Sequence, residues 1–195
     1  LTGIATFDVP ASGTCTVGYQ VCDALPNAAC DNATLTVTAQ GADMSAAITN
    51  MPSVLAPGQV VSGVTLTCSN AAGGAVATAA TCVPGIRFDD GATITAVTPT
   101  GRICTSTPTG GVAAGDSVVC TFGFTTPGTA GGSNEAAISL TVSGSTGATN
   151  DGNPANNNAS VTSSLIDAVD DALVSLPASG GRVTVLGNDS IGATT

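Results

Sequence analysis

The sequence predicts an all-β protein built from antiparallel sandwiches, and three observations carry that prediction. Thr and Val recur with Gly and Pro every few residues, a composition that favours strands and turns over helices. Apolar and polar residues alternate with period 2 in several short runs. No stretch carries a convincing 3.6-residue apolar stripe; "NEAAISL" comes nearest, and its continuation "TVSGST" reads as strand.

Along the chain, the head (1–39) contains "TCTVGYQVCDALPNAACDNATLTVTA", two strand-like runs around a turn-rich tip. Val17, Tyr19 and Val21 share one parity there, and Cys22 has the other. A longer unit spans 42–165. Within "QVVSGVTLTC", Val60, Val64, Leu66 and Cys68 are expected to face one way, with Ser and Thr between them. Val118, Cys120, Phe122 and Phe124 do the same in "DSVVCTFGFT", as do Ile138, Leu140 and Val142 in "AAISLTVSG". The separators "APG", "AAGG" and "NDGNP" are turn chemistry, and the Pro-Gly of "LAPG" is expected to turn one strand into the next. The tail (166–195) repeats the pattern in brief: an acidic start, "ALVSLP", the turn "ASGG", then "RVTVLGND".

The interior must be thin. Of 195 residues 43% are hydrophobic, yet there is no Trp, one Tyr and four Phe. The charge balance is lopsided: no Lys, no His, three Arg (Arg87, Arg102, Arg182) and thirteen acidic residues give a net charge of −10. No basic patch can be assembled for nucleic acid or for an anionic membrane surface. The longest uncharged run, Met44 to Ile86, is broken throughout by Gly, Pro, Ser and Asn, so no membrane insertion is expected. "LTGIATF" does not read as a signal peptide, which suggests a mature chain or an excised piece of one. Few tryptic sites suit an extracellular protein, though any acidic secreted protein would show the same balance.

Without His or Lys, the usual general bases, Schiff-base amines and Ser-His or Cys-His dyads are missing, so an enzyme is not expected. Asp89 and Asp90 are adjacent carboxylates, but neighbours on a strand point to opposite faces, and no aromatic sugar platform surrounds them. Lys-Asn isopeptide linkage is also excluded within this unit.

Residues 42–165 resemble the conserved-repeat, immunoglobulin-like domains found in tandem in large bacterial surface proteins. "LAPGQVVSGVTLTCSN", "GVAAGDSVVCTFGFT" and "DGNPANNNASVT" carry that resemblance. The two ends resemble halves of a second family, the cadherin-like or VDD-type immunoglobulin-like repeats. "GIATFDVPASGTCTVGYQVCDALPNAACDNATLTVTA" is similar to the closing half, and "AVDDALVSLPASGGRVTVLGND" to the opening half. The resemblance implies immunoglobulin-like antiparallel β-sandwiches in tandem, with the second domain split between the two chain ends. Residues 1–39 would be its C-terminal half, and 166–195 the N-terminal half of the next. Completion would come from a covalent tandem array or from copies of the chain joined head-to-tail. Val169, Leu173, Val174, Val183, Val185 and Leu186 of the tail and Val17, Tyr19 and Val21 of the head are the candidate assembly residues. Isolated, either half would leave unpaired strand edges and half a core.

Seven cysteines without a C-x-x-C pair, in a chain without His, point to disulfides in an oxidising compartment, not to thiolate metal binding. Cys68 and Cys120 share the inward parity of their strands. That favours a bond between them, one of three pairings open to four cysteines, and leaves Cys82 with Cys104. A Cys68–Cys120 bridge closes a loop of about fifty residues, worth roughly 4 kcal/mol in loop-closure entropy. Cys22 and Cys30 bracket "DALPNAA" and are expected to pin a hairpin tip. Cys15 is left over: a buried thiol on the core-facing parity, or a bond to a partner such as a neighbouring subunit.

No cofactor is required by the sequence. Asp167, Asp170, Asp171 and Asp189 cluster near a domain junction, where carboxylates suit Ca²⁺. No D-x-D-x-D-G loop is present, and turn-forming solvated Asp is the simpler reading. Asn32, Asn158 and Asn188 begin triplets of the N-glycosylation pattern. The expected role is a structural unit of an extracellular filament or long cell-surface fibre. The competing expectation is an adhesin, a binding module of a large surface protein, with calcium at its junction. Exposed aromatic or basic hot spots would favour the adhesin, and the sequence offers few.

Overall fold

The computed structural model describes residues 13–23, 29–91, 93–105, 111–128, 138–167, 179, 180, 182, 190 and 191. Among them there is no α-helix, and strands dominate. A hairpin comes first: among the described residues, β1 (Gly13–Cys22) and β2 (Cys30–Ala39) pair only with each other. Nine strands and one helical turn follow: β3 (Met44–Thr49), β4 (Val54–Leu55), β5 (Val60–Asn70), β6 (Thr81–Asp89), β7 (Ile94–Ala96), β8 (Thr100–Cys104), β9 (Ser117–Thr125), β10 (Ser139–Gly147), a 3-10 turn (Pro154–Asn156) and β11 (Asn158–Asp167). A short β12 (Ser190–Ile191) returns to pair with the end of β11.

These strands make two sheets. One has the order β3-β5-β9-β8; the other runs β12-β11-β10-β6-β7, with β4 lying parallel to β11. Their alternate residues form a single core. Val64, Leu66, Cys68, Phe122 and Phe124 come from the first sheet, and Ile86, Phe88, Leu140, Val142 and Leu165 from the second. With no Trp available, Phe122, Phe124 and Met44 are the largest fully buried side chains. Val118, Cys120, Phe122 and Phe124 are all buried, as the period-2 pattern of β9 requires. Ile138, Leu140 and Val142 are buried likewise.

In β5 the expected parity breaks. Val60 is 75% exposed and Val61 takes the inward place, while Val64, Leu66 and Cys68 face the core as the alternation predicts. The cause is a β-bulge. Val61 pairs with Phe124 and Val64 with Phe122, so three steps on β5 match two on β9. Gly63, at φ 78°, supplies the left-handed backbone inside the bulge. Opposite it, Gly123 has no room for a side chain, because a Cβ there would sit 2.5 Å from the Val61 carbonyl oxygen.

The turn between β4 and β5 is the "APGQ" of the sequence. Gln59 N–H donates to the Ala56 carbonyl at 3.2 Å, and Gly58 takes φ 70° after Pro57. Thr126, 2% exposed, locks this turn to the end of β9: its hydroxyl accepts Gln59 N–H at 2.7 Å and donates to the Ala56 carbonyl at 2.6 Å. Asn70, also 2% exposed, ties three segments together. Its Oδ1 accepts Asp43 N–H at 3.1 Å, and its Nδ2 donates to the carbonyls of Ala75 and Val112, both at 2.9 Å.

Candidate assembly surface

The β1–β2 hairpin carries the feature with most functional content. Its register is unbroken over ten pairs, from Gly13↔Ala39 to Cys22↔Cys30. Directly opposed residues in an antiparallel pair point to the same face. One face therefore holds Cys15 with Val37, Val17 with Leu35, Tyr19 with Ala33 and Val21 with Asp31. The other holds Thr14 with Thr38, Thr16 with Thr36, Gly18 with Thr34, Gln20 with Asn32 and Cys22 with Cys30. The hairpin thus has an apolar side and a Thr-rich side.

Neither side is covered among the described residues. Tyr19 is 51% exposed, Val21 55% and Leu35 41%; only Val17, Val37 and Ala39 reach intermediate burial. A two-stranded ribbon with one bare apolar face is marginal in water unless something packs on it. At the far end, Cys22 and Cys30 are bonded with Cα atoms 4.0 Å apart. Asp23 N–H also donates to the Ala29 carbonyl at 3.0 Å, so the tip is held covalently and by hydrogen bonding.

Of the head residues expected to take part in assembly, Val17, Tyr19 and Val21 share this apolar face. Ala33, Leu35 and Val37 complete it from β2; the alternation in "ATLTVTA" is the signal that marks them. Val169, Leu173, Val174, Val183, Val185 and Leu186 of the tail lie outside the described residues. So do Asp170, Asp171, Asp189 and Asn188; Asp167 ends β11 and pairs in register with Ser190. Asn32 and Asn158 are both exposed.

The disulfides correct one expectation. Cys68 is bonded to Cys82, and Cys104 to Cys120, in place of Cys68–Cys120 and Cys82–Cys104. Shared inward parity places Cys68 and Cys120 on the same face, but in register Cys120 opposes Leu66 and Cys68 opposes Val118, so the two are diagonal neighbours. Cys104 instead stands directly opposite Cys120 across β8 and β9. Cys68 finds its partner across the core, on β6 of the other sheet. The closed loops are short, with separations of 14 and 16 residues, and each contributes about 3 kcal/mol by loop-closure entropy. Cys15 is a free thiol and is exposed, not buried: its parity faces the apolar side, but among the described residues no second layer covers that side.

No helix among the described residues is long and apolar enough to cross a membrane. Three disulfides in one chain fit an oxidising compartment. No protein-family model matches the chain, and no curated protein resembles it significantly in sequence.

Proposed function

We propose that this chain is a structural repeat unit of an extracellular filament or long cell-surface fibre. In this reading the two sheets of 42–165 are one immunoglobulin-like sandwich, and the hairpin belongs to a second sandwich shared between repeats. The cover for its apolar face is the 166–195 segment of the neighbouring repeat, whether that neighbour is a separate copy or the next unit of a covalent array. Repetition of such joints gives a head-to-tail polymer whose function lies in length, stiffness and resistance to proteases.

The apolar face of β1–β2, which no other described residue covers, carries the proposal. Tyr19, Val21 and Leu35 lie in line on it at roughly half exposure, beside the half-buried Val17 and Val37. The same face on a self-sufficient domain would be packed. The disulfide at the hairpin tip and the intersheet bond suit a fibre that must persist outside a cell.

Purified chain, examined by sedimentation and negative-stain microscopy over a concentration series, is expected to form filaments or head-to-tail oligomers. The double variant Tyr19→Asp, Leu35→Asp should stay monomeric while keeping its disulfides and β-rich circular dichroism. Monodisperse particles of the unaltered chain at every concentration would sink the proposal for separate subunits. A reducing, denaturing gel of native material then separates the two linkages, an 18.5 kDa band for subunits against a very large species for a covalent array.

A further inference from the structure

The loop between β10 and β11 folds back over the start of β3. Ala42 N–H donates to the Asn150 carbonyl at 3.1 Å, and Gly152 N–H donates to the Ala42 carbonyl at 2.8 Å. This parallel bridge sets Asp151 opposite Ala42, next in sequence to Asp43. Across 113 residues of sequence, the Asn156 Nδ2 donates to Asp43 Oδ1 at 2.9 Å. Asp151 Oδ1 accepts Asn153 N–H at 3.0 Å.

What remains is a set of orphaned oxygens. Asp151 Oδ2, Asn156 Oδ1 and Asn157 Oδ1 each expose less than 1 Å² and accept no hydrogen bond. All three are acceptors, and they come from seven consecutive residues. An acceptor buried without a donor costs about 1–3 kcal/mol, more when it is charged. The Asn156 amide cannot be turned to relieve its oxygen, because its NH₂ group is held by the Asp43 carboxylate. Little in the chain could answer with positive charge: there is no Lys or His, and Arg102 donates to the Cys82 carbonyl at 2.6 Å.

We infer that this loop is a calcium site, with Asp151 Oδ2, Asn156 Oδ1 and the Asp43 carboxylate as ligands and Asn157 Oδ1 as a further donor. Ca²⁺ takes six to eight oxygens from carboxylates, amide carbonyls and water, which is the donor set present. A single water offers two hydrogens and leaves the carboxylate charge in place. Metals that prefer sulfur or imidazole find no ligand, since the chain has no His and its one free thiol, Cys15, is on the hairpin. Of the proposed ligands Asp43 lines a neighbouring cleft of about 370 Å³, together with Gly152, Asn153, Ala39 and Gln40. The ion would therefore brace the β10–β11 loop against the start of β3. This site is distinct from the Asp167, Asp170, Asp171 and Asp189 set, and it does not depend on how the chain assembles.

The test is calorimetric titration of CaCl₂ into the full chain after treatment with EDTA, alongside melting temperature in CaCl₂, MgCl₂ and EDTA. One calcium per chain, at a dissociation constant of about 1 mM or tighter, and a higher melting temperature in CaCl₂ are expected. Asp151→Asn and Asp43→Asn keep size and acceptor oxygens, so both should fold, as checked by circular dichroism and intact disulfides. Each should weaken binding by about 10-fold or more, through loss of one of two ligand charges. The variant Asp167→Asn, Asp170→Asn, Asp171→Asn, Asp189→Asn should bind as the unaltered chain does. Absence of saturable binding, affinity unchanged in both the Asp151 and Asp43 variants, or loss confined to the four-residue tail variant would each overturn the inference.

Discussion

Cys68 and Cys82 are bonded through the core, their Cα atoms 5.9 Å apart, and they tie β5 of one sheet to β6 of the other. A peptide map made without reduction is expected to recover Cys68 linked to Cys82 and Cys104 linked to Cys120. A Cys68–Cys120 peptide would refute this connectivity. Replacing Cys68 and Cys82 together by Ala should cost about 3 kcal/mol in loop-closure entropy. Thermal unfolding would report that as a fall on the order of 10 °C for a chain of this size.

Asn70 is a heavily committed buried polar side chain, with Asp43, Ala75 and Val112 all bonded to it. Asn70→Ala should strand the Asp43 N–H and the Ala75 carbonyl inside the protein, while the Val112 carbonyl keeps its bond from Ala77 N–H. Losses of this kind run at about 1–3 kcal/mol per buried group, so a total near 3 kcal/mol or more is expected from urea unfolding. Asn70→Asp should be no milder, because it replaces the donating NH₂ with an acceptor facing two carbonyls. A cost under about 1 kcal/mol for Asn70→Ala would show that water replaces these bonds freely.

The β5 bulge makes a paired prediction. Gly123→Ala drives a methyl group against the Val61 carbonyl, backbone against backbone, and should cost about 1–3 kcal/mol as an overpacking change. Gly63→Ala meets no neighbour within 4 Å but must hold φ 78°, so its smaller cost, about 1 kcal/mol, comes from backbone conformation alone. Equal costs for the two variants would contradict this division.

Cys15 offers a reporter for the hairpin. In dilute protein one thiol per chain should label readily without denaturant, since Cys15 is free and exposed. As concentration rises, labelling should slow in step with association, because Cys15 shares its face with Val17, Tyr19 and Val37. Labelling that is indifferent to concentration would mean that this face stays bare.

Alternation with period 2 was enough to read the inward residues of β9 and β10, and to place Val17, Tyr19 and Val21 on one face of the hairpin. It failed where the backbone departs from a regular ladder. The one-residue bulge at Ser62–Gly63 shifts Val60 outward, and nothing in "QVVSG" beyond its Gly announces it. Parity also names a face without fixing a distance. Cys68 and Cys120 share a side yet sit diagonally, and register, which long-range pairing sets, decided the bonds. The oxygens of Asp43, Asp151 and Asn156 were illegible for the same reason: the Ala42↔Asp151 bridge that gathers them is a product of the whole fold.

Pulled from its ends, the 42–165 unit would be loaded through its outermost strands. Early and late segments run side by side and parallel at two places, Val54–Leu55 against Ser164–Leu165 and Ala42 against Asp151. Tension therefore shears those hydrogen bonds together instead of unzipping them one by one. Should they give way, the Cys68–Cys82 and Cys104–Cys120 loops, 14 and 16 residues in separation, stay closed. At roughly 3.4 Å per extended residue they withhold about 100 Å of slack. Reduction should release that length, which single-molecule stretching before and after reduction can read directly.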